Sequence, residues 1–249
     1  MNKPKVLSYG DASSLLRYVA ISTALSLFAF LVVRILDTGI LSIFAFLNGI
    51  KFNYSPFLVT FPALGQSGWT EGKVILIYTL PYLFFGLLGM YLPEFISRKR
   101  NWIFRLTITW LSFYMVILVG GALISGIFEF RQLGVAMTWL IPYIWLRILT
   151  VFVMITWLTF SSRRFCWYFL RAVPTRKFLK GISGMRTWLI LGVVIPVLLS
   201  FILILPLVNS TLSLNIGASF LLAVLFSVVI IQTAPMVIRF SLKRRRNYF

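Results

Sequence analysis

The sequence has no histidine, a single cysteine and very few acids. Its 249 residues include five Asp and Glu against 24 Lys and Arg. Without histidine, the chain lacks the commonest general base, proton shuttle and metal ligand. One cysteine, Cys166, allows no intrachain disulfide and no cysteine-rich zinc or iron–sulfur site. These absences predict a protein that is not an enzyme and that holds no metal or cofactor.

Charged residues are also scarce. They make up 12% of the chain, whereas 60% of it is hydrophobic and the mean hydropathy is +0.95. A soluble domain carries roughly a quarter charged residues. We therefore expect an integral membrane protein with little mass outside the bilayer.

Six apolar runs reach the roughly 20 residues that a helix needs to cross the hydrocarbon core. They are Ser14–Leu36, Val74–Phe95, Ile103–Phe128, Gly134–Phe160, Thr187–Val208 and Gly217–Phe240. A seventh apolar piece, Thr38–Ile50, is too short to span, so it extends the first helix, lies in the interface or re-enters the membrane. The predicted fold is an all-α integral membrane protein that forms one polytopic domain over residues 1–249.

The basic residues indicate which side of the membrane each loop occupies. Lys and Arg gather at both termini, around residues 98–105 and between residues 161 and 186, all on one side of a six-span chain. The other side holds only Lys51, Lys73 and Arg131. Because short cytoplasmic loops carry an excess of Lys and Arg, both termini are predicted to be cytoplasmic. The net charge of +19 is then a topology signal that needs no nucleic-acid partner, and it suits a bacterial inner membrane.

Two further segments have apolar character outside the spans. The outer stretch Lys51–Lys73 is too apolar for a freely solvated loop. The cytoplasmic stretch Arg163–Lys180 alternates aromatic residues with bases, which predicts an interfacial helix on anionic headgroups or a docking surface for an acidic protein. Its candidate contact residues are Arg163, Arg164, Trp167, Arg171, Arg176, Lys177 and Lys180.

Arg147 is the most informative single residue. It lies midway along the predicted fourth span, where an arginine costs about 2.5–3.5 kcal/mol on translocon-based scales. At helical spacing, Tyr143 and Thr150 share its side. Either Arg147 bonds to carbonyls, to Tyr143 or to a carboxylate of another subunit, or it contacts an anion in a solute pathway.

Arg34 and Asp37 are spaced to pair across one face of the first helix, near its outer end. An ion pair at the outer membrane boundary is the favoured interpretation, and Arg34 can also snorkel to the headgroups. Asp37 is still the best candidate in the chain for a proton or cation site.

Small residues and prolines in the spans predict packing features. Gly86, Gly89 and the pair Gly121 and Ser125 let helices approach closely. Prolines inside spans, such as Pro196, each free a backbone carbonyl.

The function expected from these features is a non-catalytic subunit or scaffold of a larger inner-membrane protein complex. It rests on the missing catalytic residue types, on Arg147 and on the two unusual loops. Its partners would be the lipid bilayer, with its anionic cytoplasmic headgroups, and other membrane subunits. One alternative is a small-solute or anion transporter or channel with Arg147 in its pathway. A weaker alternative is a lipid-handling protein.

The predicted topology can be tested with two reporters. A cytoplasm-only fluorescent protein fused after Phe249 should fluoresce, and a periplasm-only reporter placed within residues 209–215 should be active. These two sites flank the sixth span on opposite sides of the membrane. Immunoblots control for expression of each fusion, and inactivity of both expressed fusions would overturn the assignment.

Overall fold

The computed structural model describes residues 9–55, 58–61, 68–96, 101–128, 136, 141, 143–173, 181–204 and 213–246. Its helices are α1 (Tyr9–Leu47), α2 (Glu71–Tyr78), α3 (Leu80–Ile96), α4 (Trp102–Phe128), α5 (Ile144–Ala172), α6 (Gly181–Leu189), α7 (Ile195–Ile204) and α8 (Ser213–Arg246). A π-helical turn, Ile190–Val194, joins α6 to α7, and an antiparallel hairpin pairs β1 (Asn53–Ser55) with β2 (Leu58–Thr60). Counting α2–α3 and α6–α7 as one each, six helices in the described residues are long and apolar enough to cross a membrane.

The first helix is longer than the predicted span, because no proline interrupts it. It closes at Gly49, whose φ of 67° is a conformation that glycine adopts without strain. The Gly49 amide donates to the Phe46 carbonyl at 3.0 Å. The Ile50 amide donates to the Ala45 carbonyl at 3.0 Å, which completes a Schellman motif. The apolar piece Thr38–Ile50 therefore extends the first helix up to this cap.

Prolines explain where two other helices begin. The second span divides at Thr79, between α2 and α3, just before Pro81, which has no N–H to donate. The fourth spanning helix begins only at Ile144. Ile141 is not helical, since a residue that precedes a proline is pushed out of the helical region and Ile141 precedes Pro142.

The fourth spanning helix therefore differs from its prediction. The sequence predicted a span over Gly134–Phe160, whereas the observed helix is α5. The predicted interfacial helix Arg163–Lys180 is not a separate element over its first part, which forms the last turns of α5; residues 174–180 lie outside the described residues. Phe165 and Phe169 are buried instead of lying on headgroups, because their four-residue spacing equally suits a helix packed against α4.

Consecutive spans run in opposite directions. Trp110, early in α4, packs on Phe169, late in α5, whereas Gly120 lies farther along α4 and faces Met154, earlier in α5. Successive contacts between α1 and α4 advance in the same direction along both helices, so these two helices are parallel. Successive contacts between α8 and α4 advance in opposite directions, so these two are antiparallel. The pairs are Tyr18 with Trp102, Ser26 with Tyr114, Leu222 with Gly120, and Phe226 with Phe113. The start of α1 and the end of α8 thus lie at the same end of the bundle.

The two ends of the bundle differ in charge. One end, called the basic end below, holds the bases at the end of α8 and six others. These six are Arg17, Arg105, Arg163, Arg164, Arg171 and Arg186. The opposite end, called the hairpin end, holds β1, β2 and the starts of α2 and α5, with Lys51, Lys73 and Arg147.

The fourth helix is the centre of the packing, with 67% of its spanning window buried. Its Trp110 and Phe113 lie in an aromatic core with side chains from α5 and α8. Gly89 of α3 packs so tightly on α4 that an added Cβ would lie 2.9 Å from Val116. A methyl group on Gly121 would likewise collide with Ser219 of α8. These glycines thus permit the close helix approach that the sequence indicates.

Candidate functional site

Arg34 and Asp37 form a charge pair inside the bundle. Arg34 Nη1 lies 3.7 Å from Asp37 Oδ2. Arg34 is only 3% exposed and Asp37 is 0% exposed. Arg34 therefore does not snorkel to the headgroups, because protein covers it.

The depth of the pair can be read along α1. Arg34 lies about 26 Å beyond Arg17, at about 1.5 Å per helical residue. The hydrocarbon core is about 30 Å thick. With Arg17 at the basic boundary, the pair lies toward the hairpin end, as its place in the sequence indicates, but it is enclosed by neighbouring elements.

The hydrogen-bonding capacity of the pair is largely unused. Within the described part of the chain, Nε and Nη1 of Arg34 and both carboxylate oxygens of Asp37 have no hydrogen-bond partner of regular geometry. Tyr82 of α3 interacts with the Asp37 carboxylate without reaching that geometry. Buried ions need hydrogen bonds in addition to each other to offset their desolvation. The pair is therefore able to take a further polar partner.

Three aromatic side chains pack together at the hairpin end, beside Tyr82. Tyr78, one helical turn before Tyr82, stacks on Trp69 with 5.8 Å between ring centroids. Phe61 packs edge-on against Tyr78 at 5.4 Å. Phe61, Trp69 and Tyr78 are called the aromatic cap below. Phe61 and Trp69 are half-buried, so the cap reaches from the buried Tyr78 to the surface of the hairpin end.

A polar cluster lies farther along the same face of α1, toward the basic end. Trp110 Nε1 donates to Ser22 Oγ at 3.1 Å, and Ser22 Oγ donates to the Gly192 carbonyl at 2.8 Å. In a regular helix the Gly192 carbonyl would accept from residue 196, but Pro196 has no N–H. Ser22 thus donates to a carbonyl that receives no hydrogen bond from Pro196.

A second set of hydroxyls continues the cluster. Ser26 Oγ and Tyr114 Oη share a hydrogen bond of 2.8 Å, and Ser200 Oγ donates to Ser26 Oγ at 3.0 Å. All three side chains are buried. Together with Ser22 and Trp110 they join α1, α4 and the fifth span through side-chain hydrogen bonds.

Arg147 lies in the first turn of α5, not at the middle of a span. Its Nε donates to the Ile141 carbonyl at 2.8 Å, and its own carbonyl accepts from Thr150 Oγ1 at 2.7 Å. Tyr143, the residue before the helix, is 62% exposed. The central depth inferred from the sequence is wrong because the helix begins after Pro142. Carbonyl bonding was one of the interpretations left open for this arginine.

Of the candidate docking residues at the basic end, Arg163 and Arg164 contact other helices, whereas Trp167 and Arg171 contact each other. Arg164 lies 3.4 Å from Glu94, and Tyr168 Oη donates to Glu94 Oε1 at 3.0 Å. Arg171 lies over the ring of Trp167 at 4.4 Å. Arg163 Nη2 donates to the sulfur of Met236 at 3.4 Å. Arg176, Lys177 and Lys180 lie outside the described residues.

Sequence reasoning missed the polar residues that accompany the charge pair. Ser22 and Ser26 are four residues apart, and Asp37 follows Ser26 after eleven residues, so all three share a face of a straight helix. Tyr78 and Tyr82 show the same four-residue spacing. The signal was present as periodic polar residues within apolar runs.

Comparison of the chain with known protein families, with characterised proteins and with solved structures found no match. Among the described residues, no three His, Cys, Asp or Glu side chains come together as metal ligands would. The buried polar groups are therefore the features that bear on function.

Removing one charge of the pair should destabilise the protein more than removing both. Arg34→Leu and Asp37→Leu each leave an uncompensated buried charge, which costs about 3–5 kcal/mol. The double variant removes both charges and should unfold close to the wild-type temperature. Thermal unfolding of the purified proteins in detergent measures this, with Arg17→Leu as an exposed control. A double variant less stable than either single variant would contradict the buried pairing.

Proposed function

We propose that the protein moves a small solute across the membrane and that the Arg34–Asp37 pair lies on the path of that solute. The observation that supports this is a buried charge pair whose hydrogen-bonding capacity is incompletely used among the described residues. Ionisable residues inside spans are rare and costly, and they mark substrate and ion pathways. In a pair with a purely structural role, complete hydrogen bonding would offset the desolvation of both ions and stabilise the fold.

We place the path of such a solute along the buried face of α1. On this face the charge pair is followed by Ser26 and Ser22, toward the basic end. Ala29 and Val33 separate the pair from Ser26 on this face, and both are buried. Passage therefore needs a second arrangement of the helices, as in alternating access. The π-helical turn beside Ser22 is a place where the fifth span departs from regular helix, a feature frequent at functional sites.

We favour transport over the subunit role because Arg147 lies in the first turn of α5 and not at the centre of a span. An arginine at the bilayer centre would have required a buried partner, and another subunit was one candidate. In the first turn of α5, Arg147 bonds to a carbonyl of its own chain. The buried charge that does need an explanation is the Arg34–Asp37 pair.

Solute movement can be measured as osmotic swelling of proteoliposomes. Four probes cover the main classes of small solute: chloride, pyruvate, alanine and glycerol. At least one should enter wild-type vesicles faster than protein-free vesicles. The variant Arg34→Leu/Asp37→Leu should lose about tenfold or more of that rate, since a charge-assisted contact contributes about 1.5–3 kcal/mol.

The control for this assay is Arg17→Leu, the same substitution at an exposed site of the basic end, which should keep the wild-type rate. Entry of no probe above the protein-free rate would reject the proposed transport function. Equal rates in the wild type and the double variant would remove the pair from the path.

A membrane-complex subunit is the second candidate, and the exposed face of α5 favours it. Only 17% of the spanning window of α5 is buried, the smallest share among the six. Its large exposed apolar side chains include Ile144, Trp145, Ile148, Leu149, Phe152, Val153, Ile155 and Phe160. Such a face suits a transmembrane helix of another protein, and lipid chains can cover it equally well.

Extraction in mild detergent distinguishes a partner helix from lipid chains on the exposed face of α5. If a partner helix packs there, wild-type protein should purify as a heteromeric complex, and Phe152→Ala should lose the partner because the packing contact is removed. Phe28→Ala is the matched control, since Phe28 is exposed on α1 at 52% and Phe152 at 62%. Purification of the wild type without any other protein would count against the subunit role.

A further inference from the structure

We infer that the transported solute is a small monovalent carboxylate anion and that one proton accompanies each anion. This inference rests on the proposed transport function and names its substrate class. Its basis is the composition of the site: one guanidinium, one carboxylate 3.7 Å away, and no exposure of Asp37 to solvent.

Charge balance at the buried site selects the ion. The pair has no net charge, and an uncompensated ion in a low-dielectric interior is costly. When Asp37 takes a proton on its carboxylate, Arg34 loses its counterion. One monovalent anion beside Arg34 restores neutrality, so proton uptake and anion binding favour each other. A divalent anion would leave the site with a net negative charge.

The same geometry disfavours a metal cation as the coupling ion. A guanidinium stands 3.7 Å from the only carboxylate of the pair and repels a second positive charge there. Sodium, magnesium or calcium sites also need several oxygen ligands around one ion. A proton needs a single oxygen, and Asp37 has two without regular hydrogen bonds among the described residues.

A carboxylate is the anion that the surroundings of Arg34 already accommodate. The titratable groups that face Asp37 are Arg34 on its own helix and Tyr82 on α3, with Tyr78 beyond Tyr82. Arg34 and Tyr82 both interact with the carboxylate of Asp37 in the observed arrangement. When Asp37 is protonated, the carboxylate of an entering anion replaces that of Asp37 as the counterion of Arg34.

The test uses pyruvate, a strong carboxylic acid of which little exists in the membrane-permeable neutral form near neutral pH. Pyruvate binding to purified wild-type protein should tighten about tenfold for each pH unit of acidification while Asp37 is ionised, as expected for one linked proton. Asp37→Asn has the shape of the protonated side chain, so its affinity for pyruvate should not change with pH. Pyruvate should also raise the melting temperature of Asp37→Asn, since it supplies the missing counterion.

Proton movement gives a second measurement that needs no variant. Pyruvate entry into wild-type proteoliposomes should make the external medium more alkaline, with one proton taken up per pyruvate. Pyruvate entry without proton uptake, or the same pH dependence of binding in Asp37→Asn and the wild type, would overturn the coupling. If pyruvate neither binds nor enters while chloride, alanine or glycerol does enter, the substrate class is wrong and transport stands. If none of the four probes enters, the proposed function itself fails.

Discussion

The polar groups on the buried face of α1 determine how the neighbouring helices are arranged. Water is absent from the hydrocarbon core, so each buried polar group must find its partner within the protein. Ser22 and Ser26 obtain partners from Trp110 and Tyr114 of α4 and from the fifth span. These directional bonds fix the order of contacts along α1 and α4, which apolar packing alone leaves less specific. The alternating directions of the spans then follow from their connections.

Two carbonyls show how the same constraint acts where a proline interrupts a helix. The Gly192 carbonyl, which Pro196 cannot bond, accepts from a serine of another helix. The Ile141 carbonyl, which precedes the start of α5, accepts from the guanidinium of Arg147. Both donors looked like isolated polar residues in apolar sequence. In both cases a side chain donates to a backbone carbonyl that lies close to a proline in sequence. For Arg147 the acceptor is therefore within the same protein and not in a partner subunit.

The number of spanning helices could be predicted because it depends on a local property, a run of apolar residues long enough to cross the hydrocarbon core. The hairpin at residues 53–60 and the late start of α5 could not, since they depend on backbone geometry that hydropathy does not measure. The spacing of Arg34 and Asp37 indicated a pair on one helix face. Their burial depends on which elements cover that face, and the sequence of one helix does not indicate which elements pack against it.

The incomplete hydrogen bonding of that pair is the observation that favours a functional role for it over a structural one. Buried ion pairs are often replaceable by apolar residues without loss of stability, so stability alone gives little reason to keep one. Here both ions are enclosed and neither is fully hydrogen-bonded within the described residues. The free-energy cost is specific to this arrangement of helices and to this protonation state of Asp37. A ligand or a proton that lowers the cost shifts the protein toward another arrangement, because a ligand moves a conformational equilibrium by its difference in affinity between two states. In the transport function that we propose, the unmet polar groups thus provide the energetic difference that coupled movement of a solute requires.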